Sequence, residues 1–70
     1  MSIVKNNWNR MSILFKKGQK TAKEEAEIDY RIGLHNCFAS GDSKAEKFML
    51  ELWEELTKKE QNEVIKAGGD

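Results

Sequence analysis

The sequence predicts an all-α protein, a small array of three to four short helices that can complete its core as a homodimer. Three observations carry that expectation. The pattern Ser/Thr-x-x-Glu occurs three times, each match opens a stretch with helical apolar spacing, and none of the 70 residues is proline. In such a capping box the Ser or Thr hydroxyl accepts the backbone N–H three residues on, while the Glu reaches back to the N–H of the cap. Two donors that a helix start leaves open are thereby satisfied. No alternating strand pattern competes.

The boxes are Thr21-Ala22-Lys23-Glu24, Ser43-Lys44-Ala45-Glu46 and Thr57-Lys58-Lys59-Glu60. They predict helices over about 22–40, 44–56 and 58–67. Gly41 stands where a left-handed glycine would end the helix before the second box. The third break is the least marked, since one helix can run through Leu56-Thr57. Ahead of the boxes lies a helix over about 3–16, in which Val4, Trp8, Met11 and Phe15 recur at i, i+4, i+7 and i+11.

The second helix carries Ala26, Tyr30, Gly33, Leu34, Cys37 and Phe38 along one side, with Ile28 and Ile32 on another. A helix apolar on two sides is usually packed on two sides, so this one is expected at the centre. The third has the most regular stripe: Ala45, Phe48, Met49, Leu52, Trp53 and Leu56. The fourth offers Val64, Ile65 and Ala67 before Gly68-Gly69. All of this fits a single domain over residues 1–70. A chain of this size buries only about 60% of the surface its unfolded form exposes, so its core is thin.

Charge is sorted along the chain. Lys5, Arg10, Lys16, Lys17, Lys20 and Lys23 all precede the first carboxylate, Glu24, and the twelve carboxylates share the remainder with the other six cations. A net charge of zero therefore hides a +6 head and a −6 body. The step falls inside a capping box, where acidic residues are expected because the helix dipole favours anions in the first turn.

The residue types needed for catalysis are sparse. The one His and the one Cys, His35 and Cys37, are two apart on a predicted helix and so point about 200° apart around it. They form neither a nucleophile–base pair nor a shared metal site. Cys37 reads as a small buried residue and His35 as a half-exposed one. No disulfide can close within the chain, and no glycine-rich phosphate loop is present. No enzyme activity, cofactor or metal is expected. A lone thiol suits a reducing cytoplasm, and the apolar run through Met11, Leu14 and Phe15 is too short for a signal-peptide core or a membrane span. Met1-Ser2-Ile3 recurs as Met11-Ser12-Ile13, read either as coincidence or as a second start at Met11.

Three non-enzymatic readings remain. Lys16, Lys17, Lys20 and Lys23 can neutralise phosphates, which suits nucleic acid, but the isoelectric point near 6.6 argues against it. Trp8 and the lysines can place the first helix on a membrane surface, at the cost of removing its apolar face from a thin core. The preferred reading is a protein–protein interaction module, a regulator, adaptor or inhibitor, with a protein partner or a second copy. Ile13, Ile28, Ile32 and Leu50 fall outside the main stripes and are candidate contact surface, and a +6 head suits docking on a −6 body. The candidate partner-binding residues are Trp8, Arg10, Lys16, Lys17, Lys20, Ile28 and Ile32. Short helical chains of this kind are often accessory products of phages or plasmids, an expectation of genre alone.

Residues Leu56-Thr57-Lys58-Lys59-Glu60-Gln61-Asn62-Glu63-Val64-Ile65 resemble the Leu-Thr-x-x-Glu-x-x-Val-Leu opening of LuxR-type helix-turn-helix domains. The resemblance covers ten of the 70 residues. In that family a scaffold helix and a recognition helix follow, and this chain reaches Gly68-Gly69-Asp70 without them, so DNA binding is not carried over.

Overall fold

A computed structural model describes residues 2–68. Met1 of the repeated tripeptide, and Gly69 and Asp70 expected after the last helix, lie outside the described residues. The described residues form four helices, α1 (Ile3–Lys16), α2 (Ala22–Ala39), α3 (Lys44–Glu55) and α4 (Lys58–Ala67), and no strand.

Local chemistry sets the boundaries. The Ser2 side chain accepts the Lys5 N–H and opens α1. Thr21 with Glu24, and Thr57 with Glu60, form complete capping boxes at α2 and α4. The middle box fails. Ser43 already has helical dihedrals (φ −67°, ψ −18°), so its hydroxyl makes no cap bond, and Asp42 Oδ1 instead accepts the Lys44 N–H at 3.0 Å. A cap needs extended backbone to aim its side chain back at the first turn.

At the end of α2, Gly41 takes a left-handed φ of +96°. The Asp42 N–H reaches Cys37 O and the Gly41 N–H reaches Phe38 O, each at 3.0 Å, which is the Schellman arrangement. Leu56 and Thr57 are both extended, so α3 and α4 are separate helices. Gln61 Nε2 donates to Trp53 O at 2.9 Å, a carbonyl in the last turn of α3 that also accepts the Leu56 N–H, and so ties α4 to the end of α3.

The central helix is α1, not α2. It packs on each of the other three, whereas α2 packs on α1 and α3. Met11, Leu14 and Ile28 make one buried cluster between α1 and α2. Leu34, Ala45 and Met49 make a second, flanked by Ile3, Val4, Phe38 and Leu52. Val64 is fully buried on α4.

Helices α1 and α2 are rotated from the phases that hydropathy predicts, whereas α3 buries Ala45 and Met49 and α4 buries Val64 as expected. On α1 the buried arc runs through Asn6, Asn7, Arg10, Met11 and Leu14, while Trp8 is 45% and Phe15 68% exposed. At about 100° per residue this turns the expected apolar stripe by roughly a quarter-turn. On α2 the buried residues are Ile28, Arg31 and Leu34. Ala26, Tyr30, Gly33 and Cys37, expected inward, are exposed. Phe48 of α3 is also exposed, and Leu52, Trp53 and Leu56 are only half-buried. The interior seam is occupied by hydrogen-bonded polar side chains, and this displaces the apolar stripes sideways.

Candidate functional site

Two of the six cations of the basic head, Arg10 and Lys17, are paired with carboxylates of the acidic body. Arg10, buried on α1, donates from Nε to Glu27 Oε2 at 3.2 Å and from Nη2 to Glu60 Oε2 at 3.3 Å. Arg31, 2% exposed, donates from Nε to Glu27 Oε2 at 2.9 Å and from Nη1 to Asn7 Oδ1 at 2.9 Å. Asn7 Nδ2 returns a bond to the Arg31 carbonyl. Five side chains thus tie α1 to α2 and α4, and a buried guanidinium needs such partners. Burial pulls the Arg31 guanidinium below its ordinary pKa, against the opposing pull of Glu27.

Lys17 forms an ion pair with Glu24. That hydrogen bond, reinforced by the Thr21 N–H, lowers the Glu24 carboxyl from 4.5 to about 2. Glu60 is also lowered, first by the Thr57 backbone N–H and then by the Thr57 hydroxyl, Arg10 and Lys23. Of the seven candidate contact residues, Arg10 and Lys17 are therefore structural partners of carboxylates. Ile28 is buried at 7% exposure, so it is core where it was expected on the surface.

The other four gather on one face. Trp8, Met11, Ser12, Phe15, Lys16 and Ile32 line an open groove of about 290 Å³ between α1 and α2. It continues past Phe15 into a second hollow lined by Lys20, Glu25, Ile28 and Asp29. Trp8 stands against His35, with ring centroids 4.8 Å apart. Lys20 Nζ lies 5.6 Å from the Phe15 ring centre and donates to the Lys17 carbonyl.

The charges around this groove are sorted by helix. Lys16 edges it on α1, Lys20 on the loop that follows, and Glu25 and Asp29 on α2. Sequence reasoning placed Phe15 in the core and passed over Glu25 and Asp29. The available signal was that Ile28 and Ile32 fall off the main apolar side of the second helix.

A second cleft, of about 410 Å³, opens beside Arg10, Lys23, Arg31, Glu27, Glu55 and Glu60. Its cations and carboxylates are matched in number, and most belong to the interhelical network. Cys37 is exposed. Among the described residues there is no cluster of three metal-ligating side chains, and no helix is long and apolar enough to cross a membrane. No protein-family model matches the chain, and no match emerges among curated proteins or solved structures.

Proposed function

We propose that this chain is a non-enzymatic protein–protein interaction module, a regulator, adaptor or inhibitor, that meets its partner through the groove between α1 and α2. One observation carries the reading: Trp8, Phe15 and Ile32 are 45%, 68% and 40% exposed on a single face, over a floor that includes Met11. Contiguous exposed apolar surface of this kind is the usual mark of a contact site. Its shape suits the apolar ridge of a partner helix.

Less supports nucleic-acid binding. Arg10 and Lys17 are neutralised by Glu27, Glu60 and Glu24, and Lys20 shares its hollow with Glu25 and Asp29. The exposed thiol of Cys37 suits a reducing compartment and supports a cytoplasmic setting.

The test is site-specific photo-crosslinking in the native cell, with the reactive residue at position 15 or 32 and a control at the exposed position 54. A defined protein adduct from 15 and 32, absent from 54 and lost on Trp8→Ala, supports the reading. Adducts of equal yield at all three positions, or none at 15 and 32, overturn it.

A further inference from the structure

Resting on the interaction-module reading, we infer that the occupant of the groove is a second copy of this chain, docked with α1 of each copy over α2 of the other. The argument comes from the order of residues across the face. From the α1/α2 seam outwards, α1 presents Met11, then Phe15 and Trp8, then Ser12 and Lys16. Moving away from the seam on the other side, the same spacing of about 100° per residue makes α2 present Ile28, then Ile32, then Glu25 and Asp29. An apolar centre is thus flanked by a cationic edge on one helix and an anionic edge on the other.

α1 and α2 run antiparallel, as the Lys17–Glu24 and Asn7–Arg31 contacts require. Two copies meeting face to face through such a patch are related by a two-fold axis in the interface plane. If that axis lies across the helices, α1 meets α1, and Lys16 faces the lysines of its counterpart. If it lies along them, α1 meets α2, and Lys16 of each copy faces Glu25 and Asp29 of the other. Only the second sets unlike charges opposite, and mismatched edges disfavour the first. It also keeps levels fixed along the helices, so Phe15 of one copy enters the hollow beside Ile28 of the other and Trp8 meets Ile32. Among the described residues Lys16, Glu25 and Asp29 have no ion-pair partner within their own chain. They are available to make one between chains.

Sedimentation of the full chain over a range of concentrations at low and moderate salt tests the inference. The expected result is a monomer–dimer equilibrium that weakens with salt. Lys16→Glu alone weakens it about tenfold, because symmetry counts each exposed pair twice. Glu25→Lys with Asp29→Lys does the same, and combining all three substitutions restores it. These positions are exposed, and Phe15→Ser, also at an exposed site, abolishes the dimer with the helical circular dichroism unchanged. A strict monomer at high micromolar concentration overturns the second-copy assignment, as does a triple variant that fails to recover. Crosslinks from positions 15 and 32 that reach only a different protein remove the second copy while leaving the interaction module standing. No protein crosslink from either position removes both.

Discussion

Arg10 and Arg31, from different helices, donate to one and the same oxygen: Glu27 Oε2 lies 3.2 Å from Arg10 Nε and 2.9 Å from Arg31 Nε. Two guanidinium groups converge on one carboxylate, and Glu60 and Asn7 complete their coordination. Removing the shared carboxylate leaves Arg31 charged, buried and held only through Asn7. Breaking a buried pair in this way costs about 3–5 kcal/mol, which is a large share of the stability of so small a domain. Glu27→Ala is therefore expected to shift the urea unfolding midpoint further than any surface substitution. Replacing the group together (Arg10→Met, Glu27→Leu, Arg31→Met) is expected to recover most of that loss.

Acid is expected to destabilise the fold through two helix caps. The carboxyls of Glu24 and Glu60 both have folded pKa values below the ordinary 4.5, Glu24 at about 2. A lowered carboxyl contributes stability that is complete above the unfolded value and is lost as pH falls through the folded one. Urea midpoints should thus hold from neutrality to about pH 5 and fall between there and about pH 2. Lys17→Met should move the Glu24 titration, followed by carboxyl NMR, up toward 4.5, since the Lys17 hydrogen bond is the largest cause of its lowering.

The failed middle box gives a test with opposite outcomes at adjacent positions. Asp42 carries the cap bond at the start of α3 and Ser43 carries none. Asp42→Ala should cost about 1 kcal/mol, and Ser43→Ala less than about 0.5. Thermal denaturation of the two variants side by side decides it.

Two glycines should respond with opposite sign. Gly41 sits at φ +96°, a conformation that side chains resist, so Gly41→Ala should destabilise by about 1–2 kcal/mol. Gly33 lies inside α2, and an added Cβ would meet no side chain and no other segment within 4 Å. Gly33→Ala should therefore stabilise by about 0.5–1 kcal/mol.

A chain initiated at Met11 would lack Asn7 and Arg10, and with them one of the two side-chain partners of Arg31 and of Glu27 and the arginine that reaches Glu60. It would also lose Ile3 and Val4 from beside the second cluster. Such a chain is expected to show no cooperative thermal transition by circular dichroism.

Helix number and boundaries were legible because their signals are local: Thr21, Thr57 and Gly41 do within a few residues what their types allow. Helix rotation was not. At the middle of the buried faces stand Asn7, Arg10 and Arg31, which a hydropathy pattern assigns to solvent, and their burial depends on Glu27 and Glu60 arriving from distant parts of the chain. With the phase turned, Phe15 left the core and Ile28 entered it. Of the ten residues that line the candidate face, Trp8, Lys16, Lys20, Ile28 and Ile32 were nonetheless named in advance. Residues left over from a periodic stripe, together with an unbalanced run of lysines, are visible in sequence without any knowledge of what they pack against.

The Arg10–Glu60 bond spans 50 residues. During synthesis at about 5–20 residues per second, Arg10 is made some 3–10 seconds before the carboxylate that completes its coordination. The α1/α2 hairpin can close earlier, through Glu27, Asn7 and Arg31, but the side of α1 that receives α4 stays open until the last helix is finished. The nascent chain therefore waits with one side of its central helix bare, and its final helix acts as the latch.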